Sequence, residues 1–146
     1  MLYQSTQELK DSIHRIYGKT QSLTIKDGVY EQLHIYFATG TPQGQPGDFC
    51  YSDENGYHYC SIGDRGEVFP EKITTSLFEI TYWVIKLPIQ SMSSKFESRH
   101  RVQGQDFRRI MFRKMIQYWN AIDREYALRA EQDIAKTLAK YPFIDL

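Results

Sequence analysis

Two cysteines, Cys50 and Cys60, lie on either side of the turn Asp53-Glu54-Asn55-Gly56. If a three-residue loop with a left-handed Gly56 closes that hairpin, Cys50 faces Cys60 and Tyr51 faces Tyr59. If the loop is Asn55-Gly56 alone, Tyr51 faces Cys60 and the thiols point to opposite faces. The first register pairs aromatic with aromatic and is preferred. Facing thiols would make a redox clip or half a metal site, whereas the plainer reading is two reduced, partly buried thiols. The histidines, His14, His34, His58 and His100, fall on separate predicted elements and match no zinc-ligand spacing, so no metal and no cofactor is expected. The sequence has no G-x-S-x-G elbow, no phosphate-binding glycine loop and no H-E-x-x-H pair. No catalytic residue is therefore assigned, and the chain is not read as an enzyme.

Charge is arranged more informatively than nucleophiles are. Arg99, Arg101, Arg108, Arg109, Arg113 and Lys114 make one stretch basic. That stretch reads either as an anion or nucleic-acid surface or as a salt-bridge network. Formal net charge is zero and the aromatics do not interleave with the arginines as a base-stacking platform would require, which favours the network. Within it, Asp106 opens a predicted helix, complements the helix dipole and can reach Arg109 one turn on. Around the hairpins the sign reverses. Asp48, Asp53, Glu54, Asp64, Glu67 and Glu71 meet only Arg65 and Lys72. Those acids are either ordinary loop residues or a face that steers a basic partner.

The elements that must position these groups can be read from periodicity. Ser5 and Glu8 form a capping box for a helix with Leu9, Ile13, Ile16 and Tyr17 on one stripe and Gly18 as its stop. Leu33, Ile35 and Phe37 alternate as a strand, a polar loop runs from Gly40 to Gly47, and the hairpin follows. A further strand runs through Val68 and Phe69 to about Ile73. Thr74 or Thr75 can cap the next helix, through Tyr82 and Trp83, and Pro88 should kink or restart it. Gly104 breaks the chain, Asp106 opens a helix through Ile110 and Tyr118, and Asp123 opens the last one. The class is α+β: an N-terminal helix, a small antiparallel sheet of hairpins, then three to four C-terminal helices packed on the sheet. A chain of 146 residues suits one domain over 1–146. The start has no basic and apolar leader, and no apolar run approaches a membrane span, so the expected setting is the cytoplasm.

Several stretches, in order, resemble one family. They are Asn55-Gly56-Tyr57-His58-Tyr59, Asp64-Arg65-Gly66-Glu67, Tyr82-Trp83-Val84-Ile85, the block from Arg101 through Gln105-Asp106-Phe107-Arg108-Arg109 to Phe112, and the closing Tyr141-Pro142-Phe143. Their order and spacing are similar to immunity protein family 63 of bacterial polymorphic-toxin systems, over about two-thirds of the chain. The family more often carries Glu at the position of Asp64. The resemblance implies a cytoplasmic protein that is encoded beside a toxin and neutralises it by stoichiometric binding, without catalysis. On that reading the partner is a cognate toxin domain, with no nucleic acid and no membrane. Asp53, Glu54, Tyr57, Tyr59, Asp64 and Glu67 are the candidate partner-binding residues, the acids steering and the tyrosines anchoring. Tyr82, Trp83, Gln105, Asp106, Arg108 and Arg109 are read as holding the fold. The rival readings are a nucleic-acid-binding regulator using Arg99 to Arg113, and a small enzyme with an unrecognised site.

Overall fold

The capping box closes as expected. In the computed structural model, which describes residues 2–146, the Glu8 N–H donates to Ser5 Oγ (3.1 Å) and the Ser5 N–H donates to Glu8 Oε1 (3.0 Å). Helix α1 (Thr6–Gly18) follows, and Leu9 and Ile13, one turn apart, are fully buried. The remaining elements are α2 (Gln21–Lys26), β1 (Ile35–Phe37), β2 (Gly47–Asp53), β3 (Gly56–Ile62), β4 (Lys72–Thr74), α3 (Leu77–Arg99), α4 (Arg108–Ile122) and α5 (Arg124–Lys140). The class is α+β, with one helix pair before the sheet and three helices after it. By contact density the chain divides into two units. The first takes the chain up to Ile16 and then Gln32–Lys86, and the second takes Tyr17–Glu31 and Leu87–Leu146.

The first unit holds the sheet, in the order β1-β2-β3-β4. It is mixed rather than purely antiparallel, because β1 runs parallel to β2, with Tyr36 beside Phe49. The connection from Phe37 turns at Pro42–Gly44, where Gln43 adopts a φ of 55°, and carries the chain back to the beginning of β1 before β2 starts. The two hairpin pairings are antiparallel.

The hairpin register differs from both registers the sequence allows. Its loop is Glu54-Asn55, closed by Asp53 opposite Gly56. Tyr51 therefore faces His58, Cys50 faces Tyr59, and Phe49 faces Cys60. The thiols point to opposite faces of the sheet, so they form neither a clip nor a shared ligand pair. The two-residue loop holds because the Asn55 N–H donates to Asp53 Oδ1 (2.8 Å), a local bond that competes with a wider turn. Burial pushes the Cys50 thiol up to about 12, which leaves it inert at neutral pH.

Gly56 is required here for two reasons. Its φ is +132°, and a Cβ would stand 2.6 Å from the Thr74 carbonyl oxygen on β4. Gly56→Ala is expected to cost about 1–3 kcal/mol of stability from backbone strain and contact. Urea denaturation reads this directly, and an unchanged midpoint would show that β4 does not approach so closely.

Helix α3 begins at Leu77 and is capped by Ser76 rather than by the expected Thr74 or Thr75. Ser76 Oγ accepts the Glu79 N–H (3.1 Å), while Thr74 Oγ1 accepts the Ser76 N–H (3.1 Å) and shapes the entry. Pro88 lies inside α3 without ending it. The fully buried Ile85 and Ile89 on either side hold the helix through the lost hydrogen bond. In the second unit, Asp123 ends α4 and caps α5, its Oδ1 accepting the Glu125 N–H (3.0 Å). The core of this unit includes Ile110, Met115, Tyr118, Trp119, Ala127 and Ala130, with the Trp119 and Tyr126 rings 5.5 Å apart. Among the described residues no helix is long and apolar enough to cross a membrane.

Candidate functional site

The register of the sheet decides which side chains share a surface. Tyr36, Phe49, Tyr51, His58, Cys60 and Ile73 fall on one face, because each is paired across to the next strand. Near the hairpin end of that face, His58 is buried with a carboxylate at each ring nitrogen. Asp53 Oδ1 stands 2.8 Å from Nε2, and Glu71 Oε1 stands 3.0 Å from Nδ1. Tyr51 stacks flat on the imidazole, with centroids 4.4 Å apart, and its hydroxyl donates to Glu71 Oε1 (3.0 Å). The hydrogen bond from His58, followed by that from the Asn55 N–H, holds the Asp53 carboxyl below its ordinary value. Burial, followed by the bond to Glu71, pushes the Tyr51 phenol up to about 12. The cluster thus fixes two exposed or half-exposed acids in one orientation each. Among the described residues no group of three or more His, Cys, Asp and Glu is placed to hold a metal ion.

The six candidate partner-binding residues do not share one environment. Glu54, Asp64 and Glu67 are exposed, and Asp53 is half-buried. Glu67 is ordered: its Oε2 accepts the Arg65 N–H (3.0 Å), and its side chain folds over Gly63. Tyr57 departs from the expected exposure, at 3%. Its face of β3 is covered by the N-terminal segment: the hydroxyl accepts the Gln4 N–H (3.0 Å), and the Tyr3 ring meets it edge-on at 5.6 Å. Tyr59 is half-buried, with its hydroxyl donating to Asp48 Oδ2 (3.0 Å). Burial and then the Asp48 charge push that phenol upward. The sequence reading missed His58 and Glu71 as the groups that order this corner. It also missed the exposed Val68, Phe69 and Ile73 beside them. A Val-Phe-Pro run bracketed by Glu67 and Glu71 was the available signal.

In the basic stretch Arg99, Arg101, Arg108, Arg109 and Lys114 are each bonded within the protein. Arg99 donates to the Gly28 carbonyl (2.7 Å), Arg101 pairs with the buried Glu97 (2.8 Å), and Lys114 pairs with Asp27 (2.9 Å). Asp106 pairs with Arg108 (2.8 Å) rather than with Arg109, which pairs instead with Asp145 (2.9 Å). Asp106 Oδ2 also accepts the Ile144 N–H (2.9 Å), while Arg108 donates to the Tyr141 and Pro142 carbonyls (2.8 Å each). The Arg109 guanidinium lies 4.2 Å from the Phe143 ring centroid. Gln105 contributes its backbone, donating to the Val102 carbonyl (3.2 Å), and its side chain is exposed. The block from Gln105 to Arg109 therefore grips the chain terminus from Tyr141 onward. In the first unit Tyr82 is buried and stacks near Phe78 (6.4 Å), and Lys72 sits 4.9 Å over the half-buried Trp83 ring.

A family model described as Immunity protein 63 matches residues 53–136. The match begins at the hairpin turn and runs through the Gln105–Arg109 block. Neither a curated protein nor a solved structure matches the chain.

Proposed function

The chain belongs to the immunity protein 63 family, and from that premise we propose that it neutralises a cognate bacterial toxin domain by stoichiometric protein–protein binding in the cytoplasm of the producing cell. The single observation that carries this reading is the family match, which covers more than half of the chain. The geometry agrees with it in kind: the polar clusters are tied up in holding side chains and backbone in place, as a binding scaffold requires. No catalysis is needed, because a tight complex burying on the order of 800 Å² on each partner is enough to block or misalign a toxin site. The nucleic-acid reading draws less support, since Arg99, Arg101, Arg108 and Arg109 are bonded to Gly28, Glu97, Asp106 and Asp145 in turn.

The test is co-expression with the toxin encoded beside this chain. Growth should be restored, and the chain should co-elute with the isolated toxin domain as a complex of fixed stoichiometry. Rescue without any complex would point instead to an activity on the toxin's product. Absence of both rescue and complex would end the proposal.

A further inference from the structure

Apolar exposure and acidic charge coincide at one edge of the sheet in the first unit. Val68, Phe69 and Ile73 are 68%, 49% and 51% exposed, on the β3–β4 connection and on the edge strand β4. They are not exposed because the loop frays. Val68 forms a bridge with Ile62, the Phe69 N–H donates to the Ser61 carbonyl (3.0 Å), and the Gly63 N–H donates to the Glu67 carbonyl (2.8 Å). The Cys60 thiol donates to the Phe69 carbonyl (3.3 Å). The backbone is pinned while the apolar side chains point out. A pinned anchor loses little entropy on docking.

The surrounding acids are held in the same way. His58 orients Asp53 and Glu71, and the Arg65 N–H orients Glu67. Of the cations in this segment, Lys72 is drawn onto the Trp83 ring. An apolar centre with a polar rim is the usual anatomy of a protein interface, and the sign of this rim selects a basic surface. A second copy of the chain fits poorly, because a two-fold contact would set this acidic rim against itself.

We propose that the β3–β4 connection and strand β4 form the toxin-docking surface, with Val68, Phe69 and Ile73 as its apolar centre and Asp53, Asp64, Glu67 and Glu71 as an acidic rim that receives a basic face of the toxin domain. The surface rests on the stoichiometric-inhibition reading above. It moves the anchoring role from Tyr57 and Tyr59, which are buried or half-buried, to the three exposed apolar residues.

The experiment titrates the full chain with the catalytically inactivated domain from the neighbouring toxin gene, by calorimetry and by stopped-flow association. Phe69→Ser should raise Kd on the order of 30-fold, as expected of a central hot spot. Asp64→Lys combined with Glu67→Lys should slow association roughly tenfold and flatten its salt dependence. Circular dichroism should be unchanged in both, and melting unchanged in Phe69→Ser and only slightly lowered in the double reversal, which gives up the Glu67 bond to the Arg65 N–H. Phe107→Ser removes a 51% exposed ring from the second unit and should bind as wild type. Failure of the wild-type chain to bind removes the inhibition reading and this surface with it. Binding by the wild type that survives both first-unit variants, or is lost in Phe107→Ser, overturns the surface and leaves the inhibition reading standing. A wild-type dimer that Phe69→Ser dissociates would also overturn it, by assigning the patch to self-association.

Discussion

Lys114→Met is expected to lower the unfolding free energy by about 2–3 kcal/mol, because it strands a mostly buried carboxylate. Asp27 follows α2 and is 14% exposed, and Lys114 on α4 is 13% exposed. Burial alone would push the Asp27 carboxyl up, but the hydrogen bonds from Lys114 and Tyr118 outweigh it and hold the carboxyl below its ordinary value. Both donors meet the same oxygen, Lys114 Nζ at 2.9 Å and the Tyr118 hydroxyl at 2.9 Å. The ammonium also lies 3.9 Å from the Phe96 ring centroid, so its charge is matched on two sides. Methionine keeps most of the stem volume and removes only the charge. The residual penalty is smaller than for a fully buried pair, since both groups keep some contact with water. Adding Asp27→Asn to Lys114→Met should recover most of the loss, because an amide is far cheaper to leave there than a carboxylate. Chemical denaturation of the single and double variants decides it. A double variant no more stable than Lys114→Met would mean that lost packing, not the stranded charge, sets the cost.

The signals that were legible in the sequence are local ones. Ser5 with Glu8 and Asp123 with Glu125 are contacts between residues two or three apart, and both caps form where the sequence places them. The buried stripe of Leu9 and Ile13 follows from helical period alone. Register was not legible. A hairpin loop differing by one residue re-pairs every side chain, and the choice turned on one Asn55–Asp53 hydrogen bond that composition does not rank. The parallel β1 depended on the path of a polar loop, and periodicity says nothing about direction. Pro88 is a local breaker that does not restart the helix, which continues through it between the buried Ile85 and Ile89. The candidate surface shows the same division. The acids at turns were visible as acids, because turn residues must face water. The burial of Tyr57 was not legible, because alternation cannot say which face the N-terminal segment covers, and Gln4 and Tyr3 cover that of Tyr57. His58 joins Tyr51 and Glu71 only once the strands are aligned.

Asp106→Ala is expected to release the C-terminal segment, with amide exchange at Ile144 rising on the order of ten- to a hundredfold, as follows from losing a charge-assisted hydrogen bond. Three contacts converge on this carboxylate: the Arg108 guanidinium (2.8 Å), the Arg108 N–H (3.0 Å) and the Ile144 N–H (2.9 Å). Without it, Arg108 loses the partner that aims it at the Tyr141 and Pro142 carbonyls. Arg108→Lys should release the segment too, because a single ammonium cannot span both carbonyls and the carboxylate. Acid should do the same to the wild type. Hydrogen bonding from Arg108, then from the Ile144 N–H, depresses the Asp106 carboxyl far below its ordinary 3.8, and hydrogen bonding from Arg109 lowers that of Asp145. A group depressed in the folded state contributes its full stabilisation above its unfolded value and loses it as pH falls below that value towards the folded one. Ile144 should therefore stay protected at neutral pH and loosen on acidification below about pH 3.8. In Asp106→Asn the acid dependence owed to this residue should disappear. Unchanged Ile144 exchange in Asp106→Ala would mean that Arg109 with Asp145 holds the segment unaided. The same variant separates a structural block from a contact block. If Gln105 to Arg109 serve the fold, Asp106→Ala binds the toxin domain nearly as the wild type does while its terminus is loose. Lost affinity with an ordered terminus would place Asp106 in the interface instead.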